Sequence, residues 1–302
     1  MSKWVRGVFI ANLVAQLGIV FTGALVRVTA SGLGCPTWPE CVEGSLTPTS
    51  TQTEQWHKYI EFGNRTLTFV LGLLAIASLV AGFVAWKRMQ RKDVFILSAV
   101  PLAGTLAQAI LGGITVLTGL HPLVVAAHFL LSLAIIAGVV VLVHRASGRN
   151  ATPAPNVIAA FSWLLVVLAG LVAGLGTIVT GSGPHSGDAD AGRLDLDPRL
   201  ISWLHADVVL LFLGLAVGLL IALSVAHIAG QSRAWLVALL AIGITQGVIG
   251  YTQYFTGLPW LLVSVHALGA ALLWMSAWFV ALSLKRGQHR SSEAISGPGN
   301  AR

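Results

Sequence analysis

Residues 123–144 read LVVAAHFLLSLAIIAGVVVLVH, an apolar run broken only by two histidines, a serine and a glycine. A helix that crosses a bilayer needs about 20 mostly apolar residues, so this run is long enough to span a membrane. Seven further runs of the same kind occur along the chain, and the predicted spans are 7–28, 65–86, 94–118, 123–144, 157–180, 202–227, 235–255 and 261–284. The sequence therefore predicts an all-α polytopic membrane protein with eight transmembrane helices.

The composition excludes other classes of protein. Apolar residues make up 56% of the 302 residues and charged residues 10%, whereas a soluble domain is about 25% charged. A soluble fold could not hide this much apolar surface, and a disordered chain needs low hydrophobicity. Eight spans use well over half of the chain, so no room is left for a separate soluble domain.

The distribution of charge predicts the orientation in the membrane. The net charge is +7, but 13 of the 18 basic residues lie in short links on one side of the spans, which is typical of membrane topology rather than of nucleic-acid binding. We therefore expect a cell-membrane protein with both termini in the cytoplasm and with two long loops, 30–63 and 181–201, outside. The first apolar run is interpreted as a retained span, because it is long and lacks a small-residue cleavage site. The tail 287–302 is predicted to be disordered.

An internal repeat divides the chain. Segment 23–32, GALVRVTASG, aligns with 174–183, GLGTIVTGSG, and segment 108–120, QAILGGITVLTGL, aligns with 246–258, QGVIGYTQYFTGL. Apolar helices can resemble each other by composition, but a shared Gln, Thr-Gly-Leu and His in one register disfavours chance. Repeats of four spans have parallel topology and an axis along the membrane normal. We expect two pseudo-symmetric four-helix bundles, 1–150 and 151–286, joined by a linker at 145–156.

Three histidines lie inside predicted spans, toward the outer face. They are His128, His205 and His266, and the repeat carries His128 onto His266. Ionisable groups are costly in a bilayer and mark functional candidates. Neutral imidazole is a ligand for haem iron and other transition metals, and two histidines on facing helices can hold a haem. A single histidine would more simply bond to a neighbouring helix, but a repeat-related set favours ligation, with His205 and His266 as one pair.

The matching pair of the first half is incomplete. Aligning residues 60–64 with 201–205 places Asn64 where the second half has His205, and asparagine is a poor haem ligand. If the stretch is helical, His57, Glu61 and Asn64 share one face. The group that faces His128 is therefore His57, Asn64 or an open coordination position, and Asn64 is kept as a candidate cofactor-binding residue.

A carboxylate also distinguishes the halves. Glu61 aligns with Ser202, so only the first half carries an acid at this place. Beside a haem, the Glu61 carboxylate could accept a proton or stabilise positive charge. The alternative interpretation is that Glu61 lies at the membrane interface and pairs with Lys58 or Arg65. Arg27 and Arg65 are candidates to bind haem propionates through bidentate hydrogen bonds. The alternative is that each arginine only extends its charged group toward water at the membrane edge. The asymmetry suggests a chemical site in one half and an electron-transfer site in the other.

Two cysteines, Cys35 and Cys41, lie in GCPTWPEC within the first outer loop. The outer compartment is oxidising and the loop is short, so a disulfide is favoured over free thiols or a two-thiolate metal site. Such a bridge could stiffen the loop or be redox-active.

The chain resembles the haem A synthase family. The resemblance rests on the eight-span duplicated layout, on GALVRVTASGLGCPTWPEC, on IEFGNR around Glu61 and on the histidines of spans four, six and eight, and it covers about residues 7–284. It implies oxidation of the C8 methyl group of haem O to the formyl group of haem A, for use by terminal oxidases. The implied cofactor is haem b, and the implied partners are haem O, membrane lipid, haem O synthase and terminal-oxidase assembly factors.

The resemblance also implies roles for single residues. His205 and His266 would hold haem b, His128 would be the histidine of the substrate site, Glu61 the essential acid, and Cys35 and Cys41 the loop disulfide. The family's second substrate-site histidine falls on Asn64, which is a departure, and the outer loop of the second half lacks the cysteine pair that some members have. Two other functions are considered: a dihaem cytochrome b-like electron carrier, and a transporter lined by histidines.

Overall fold

The computed structural model describes residues 1–287 and consists almost entirely of long helices. The helices are α1 (Lys3–Val28), α2 (His57–Met89), α3 (Lys92–Ser98), α4 (Val100–Leu117), α5 (Pro122–Ser147), α6 (Asn156–Ser182), α7 (Pro198–Val225), α8 (Gln231–Phe255) and α9 (Trp260–Leu282). Helices α3 and α4 together form one span, interrupted at Ala99, because Pro101 has no N–H to donate to the carbonyl of Leu97 and its ring crowds that carbonyl. Eight helical segments are long and apolar enough to cross a membrane, which confirms the predicted fold class.

The second span begins earlier than predicted. Helix α2 starts at His57 rather than at residue 65, so the first outer loop ends at Trp56 and not at residue 63. The prediction was wrong because polar residues in this stretch look like loop, whereas Lys58 and Glu61 are buried beneath the outer loop. With 33 residues, α2 is about 50 Å long, which exceeds the roughly 30 Å of a bilayer core.

The segment predicted as a linker contains a short strand. Helix α5 runs on to Ser147, and β1 (Thr152–Ala154) pairs in parallel with β2 (Leu284–Arg286). This two-stranded sheet joins the start of α6 to the end of α9. The tail predicted to be disordered lies outside the described residues from position 288 onward.

Each half packs as a ring of four helices. In the first half α1 packs on α2 and α5, and α4 packs on the same two; in the second half α6 packs on α7 and α9, and α8 packs on the same two. Consequently α2 lies diagonally from α5, and α7 diagonally from α9. The neighbour pattern is the same in both halves, while the axis that would relate them stays a prediction.

Apolar side chains join the halves through α1, α5, α6 and α9. A buried cluster that includes Leu17, Ile136, Val140 and Ala271 fills the centre of the interface. Trp274 on α9 adds a direct bond across it, because its indole N–H donates to the carbonyl of Leu133, 2.8 Å away. The two rings therefore form one packed body, and the diagonal helix pairs hold the candidate sites.

Candidate functional site

The three membrane histidines take the same position against a neighbouring helix. His128 lies over Gly112 of α4, His205 over Gly176 of α6, and His266 over Gly250 of α8. A methyl group added at these glycines would lie 3.2, 3.4 and 3.5 Å from Cε1 of the respective ring. In all three rings Nδ1 is buried and has no hydrogen-bond partner in the described part of the chain. Each imidazole therefore lies close to the backbone of the neighbouring helix, and at Gly112 an added methyl group would be tighter than ordinary van der Waals contact.

The histidines also lie at equal depth in the bundle. His128 and His266 each come six residues after the first residue of their helix, and His205 comes seven after the start of α7. Asn64 comes seven residues after the start of α2, so it occupies the place of His205 in the helix as well as in the aligned sequence. The four side chains belong to the two diagonal pairs, α2 with α5 and α7 with α9.

The donor set of the second half fits a haem. His205 turns its Nδ1–Cε1 edge toward Gly176, so its Nε2 is the nitrogen farther from α6. Two neutral imidazoles from diagonally placed helices are a suitable axial pair for haem iron. His205 and His266 provide that pair, whereas the first half provides His128 and an amide.

Asn64 and His57 are both engaged by protein groups. The hydroxyl of Thr22 donates to Asn64 Oδ1 over 2.8 Å. His57 Nδ1 lies 3.0 Å from Ser31 Oγ, and its ring stacks on Trp56. His57 also lines a cavity of about 200 Å³ between the two outer loops. The structure therefore places His57 at the start of α2, beside the outer loops and two turns before Asn64.

Glu61 is buried and held from two sides. One of its carboxylate oxygens, Oε2, accepts the backbone N–H of Cys35 over 2.6 Å. The other, Oε1, accepts from Arg65 Nε and Nη2 at 3.0 and 2.6 Å. Arg65 also donates to the carbonyls of Cys35, Thr37 and Glu40 at 2.7, 3.0 and 3.1 Å. The ion pair with Arg65 was one of the two interpretations of Glu61 drawn from the sequence.

The loop that Arg65 holds is closed by a disulfide. Cys35 and Cys41 are bonded, which confirms the predicted bridge. Lys58 supports the same loop from below, because its buried ammonium group donates to the carbonyl of Thr49 over 2.6 Å. The first outer loop is therefore fixed by a covalent bond, by the buried Lys58 and by the half-buried Arg65.

Trp38, at the tip of the disulfide loop, was missed by the sequence analysis. Its indole lies on Gly113 of α4, where an added methyl group would come 2.5 Å from Cδ2. Gly113 follows Gly112, the residue that His128 lies over, so the loop reaches the edge of the His128 site. The signal was present in the repeat, since Gly113 aligns with Tyr251, a large residue, in the second half.

Arg27 connects the halves on the outer side. Its Nε donates to the carbonyl of His185 over 2.7 Å, and its Nη2 to that of Thr180 over 3.1 Å. Next to it, the N–H of Gly32 donates to the carbonyl of Gly187. Arg27 and Arg65 both bind backbone carbonyls, and their binding of haem propionates stays a prediction.

The fold and these sites define a multi-pass helical membrane protein with half-buried imidazoles suited to haem. Residues 6–184 match the model of the COX15-CtaA family, described as cytochrome oxidase assembly protein. Because this match covers more than half of the chain, the chain belongs to that family, and the resemblance drawn from the sequence is confirmed. His205 and His266 lie beyond the matched residues.

Curated relatives carry the name heme A synthase. The protein of Lysinibacillus sphaericus is 34% identical over 143 residues, which are 47% of this chain and 44% of the relative. That of Bacillus licheniformis is 33% identical over 144 residues, or 47% and 45% of the two chains. That of Alkalihalophilus pseudofirmus is 30% identical over 167 residues, or 54% of each. The chain spans about half the length of the curated relatives it matches.

Proposed function

We propose that this protein is a haem A synthase, which oxidises the C8 methyl group of haem O to a formyl group and so supplies haem A for terminal oxidase assembly. The observation that carries the proposal is the common position of His128, His205 and His266, each over a glycine of a neighbouring helix. The names of the relatives support the choice of reaction.

The first half, residues 1–150, is the proposed substrate site. His128 is the proposed ligand of the haem O iron. In His128 the edge with Nδ1 and Cε1 faces Gly112, so Nε2 is the nitrogen farther from α4 and the one available to iron.

Glu61 is the proposed catalytic acid–base group. Converting a methyl into a formyl group releases protons together with electrons, so a nearby base speeds the reaction. The Cys35 N–H and Arg65 fix both carboxylate oxygens, which keeps the group in one orientation. Asn64 lies on the same helix three residues further on, with Thr22 bonded to its carbonyl oxygen.

The second half, residues 151–286, is the proposed site of the resident cofactor. His205 and His266 would hold a haem b, which supplies one-electron transfer when bound. Phe212, two turns further along α7 than His205, is fully buried in the apolar core of this half.

The proposed orientation follows from charge. With the basic links in the cytoplasm, both termini are inside, and the histidines and the disulfide loop lie toward the outer face. The proposed partners are haem O, haem O synthase and oxidase assembly factors, in addition to membrane lipid.

Haem analysis tests the proposal. The full chain is produced in cells that make haem O and contain no other haem A synthase, and the haems extracted from the purified protein are identified by mass. Haem A or its hydroxylated precursor supports the synthase. Haem b alone would favour the dihaem electron carrier, and a protein without haem would favour the transporter.

A further inference from the structure

The first-half site differs from the second at two neighbouring helices. In the second half, His205 of α7 lies over Gly176 of α6. The aligned residues of the first half are Asn64 on α2 and Leu25 on α1. Asn64 lies on α2, the helix diagonal to the one that carries His128, and Leu25 lies on α1, which packs on α2. The change therefore concerns one axial position of a haem and not the whole pocket.

Leu25 removes the space that an imidazole uses in the second half. A methyl group at Gly176 would already lie 3.4 Å from Cε1 of His205, which is van der Waals contact. A leucine side chain at that place extends further from the backbone than a methyl group. The shorter side chain of Asn64 fits beside α1, and it does so with its carbonyl oxygen bonded to the hydroxyl of Thr22.

Neither Asn64 nor His57 is suited to bind iron at this position. Amide oxygen is a ligand for hard cations such as Mg²⁺ and Ca²⁺, whereas imidazole suits iron. His57 is two helical turns away toward the outer loops, and its Nδ1 is within hydrogen-bond distance of Ser31. His128 is then the one histidine that the first ring presents at this depth.

We propose that a haem in the first half is bound by His128 alone and keeps its opposite axial position open to a small neutral ligand, for which carbon monoxide is the probe. This inference rests on the proposed function, because it requires a haem at His128. Asn64 and Leu25 keep the position open because neither side chain offers an imidazole, and the Asn64 amide is a poor ligand for iron.

The first test uses the purified full chain loaded with haem. On reduction, carbon monoxide is expected to bind one part of the haem and to change its optical spectrum, while the bis-histidine haem of the second half stays unchanged. In a His205→Ala/His266→Ala variant, all of the remaining haem is expected to bind carbon monoxide. Wild-type protein whose first-half haem resists carbon monoxide would overturn the inference, even if the double variant failed to fold.

The second test supplies the missing ligand. Asn64→His and Leu25→Gly are added together to the His205→Ala/His266→Ala variant. The first-half haem is then expected to become low-spin and to bind carbon monoxide no longer. Leu25→Gly alone is the matched control and is expected to keep carbon monoxide binding. If the control also lost that binding, Leu25 and Asn64 would not govern the axial position. If wild-type protein bound no haem in the first half, the proposed function would fail, and this inference with it.

Discussion

Replacing Arg65 by lysine tests whether the Arg65 network holds the disulfide loop over the first-half site. Arginine offers a planar fork of five N–H donors, and lysine a single compact ammonium group. In the protein, the fork reaches both the Glu61 carboxylate and three backbone carbonyls of the loop, at Cys35, Thr37 and Glu40. Lysine can retain the charge next to Glu61, but it cannot reach all of these acceptors.

The magnitude follows from the bonds that are lost. A hydrogen bond to a charged group contributes about 1.5–3 kcal/mol. If lysine keeps the contact with Glu61 and loses two of the three loop carbonyls, the free energy of unfolding falls by about 3–6 kcal/mol. This range is larger than that for exposed ion pairs, because the side chain of Glu61 is only 7% exposed and that of Arg65 only 22%.

Arg91 provides a matched control at the opposite end of the bundle. It forms the same type of ion pair, with Asp93, but the two side chains are 34% and 45% exposed. Exposed pairs contribute about 0.2–1 kcal/mol. Arg91→Lys is therefore expected to change stability by less than about 1 kcal/mol.

The assay is reversible unfolding in mixed micelles, combined with the rate at which mild reductant opens the Cys35–Cys41 bond. Arg65→Lys should lower stability by the amount given above and speed reduction of the disulfide, and Arg91→Lys should do neither. Equal, small effects of the two substitutions would refute the reasoning, because the Arg65 network would then contribute no more than a surface pair.

Three further predictions concern the first-half site. Glu61→Gln should lower the rate of haem A formation by about 10²- to 10⁴-fold, the usual contribution of general acid–base catalysis, while exposed Glu43→Gln leaves the rate unchanged; full activity of Glu61→Gln would remove this acid from the mechanism. Gly112→Ala should reduce haem retention at His128, because its methyl group would lie 3.2 Å from the ring. Gly250→Ala is the control: its methyl group would lie 3.5 Å from the ring of His266, and the second-half haem should be retained. Equal loss of haem from the two variants would contradict the prediction. Gly113→Ala should displace Trp38 and lower stability by about 1–3 kcal/mol, the usual cost of overpacking, as measured by thermal unfolding; an unchanged unfolding temperature would show that the indole does not depend on this glycine.

The spans could be predicted from the sequence because apolar runs have a length set by the bilayer. The start of α2 could not, since Lys58 and Glu61 are polar and look like loop. They are helical because outer-loop groups satisfy them: the carbonyl of Thr49 and the N–H of Cys35. Hydrophobic patterning contains no information on where a loop backbone will lie.

The sequence could likewise locate the candidate histidines but not the loop and backbone groups around them. The repeat located His128 and His266, and the glycine pair Gly112 and Gly250 stood in the same alignment without being used. The contact of Trp38 with Gly113 joins a loop to a helix far along the chain, and sequence order does not show which surfaces meet. The carbonyls bound by Arg27 and Arg65 were likewise out of reach, because backbone acceptors have no sequence signature.

We propose that the two halves hold two haems, of which the first-half haem is the substrate and the second-half haem is the electron-transfer cofactor. The most direct measurement is the mass and amount of each haem extracted from wild-type protein, from His128→Ala and from His266→Ala, all purified from cells that make haem O. We expect His128→Ala to retain haem b and contain no haem A, and His266→Ala to lose haem b. Undiminished haem A in His128→Ala, or undiminished haem b in His266→Ala, would contradict the account.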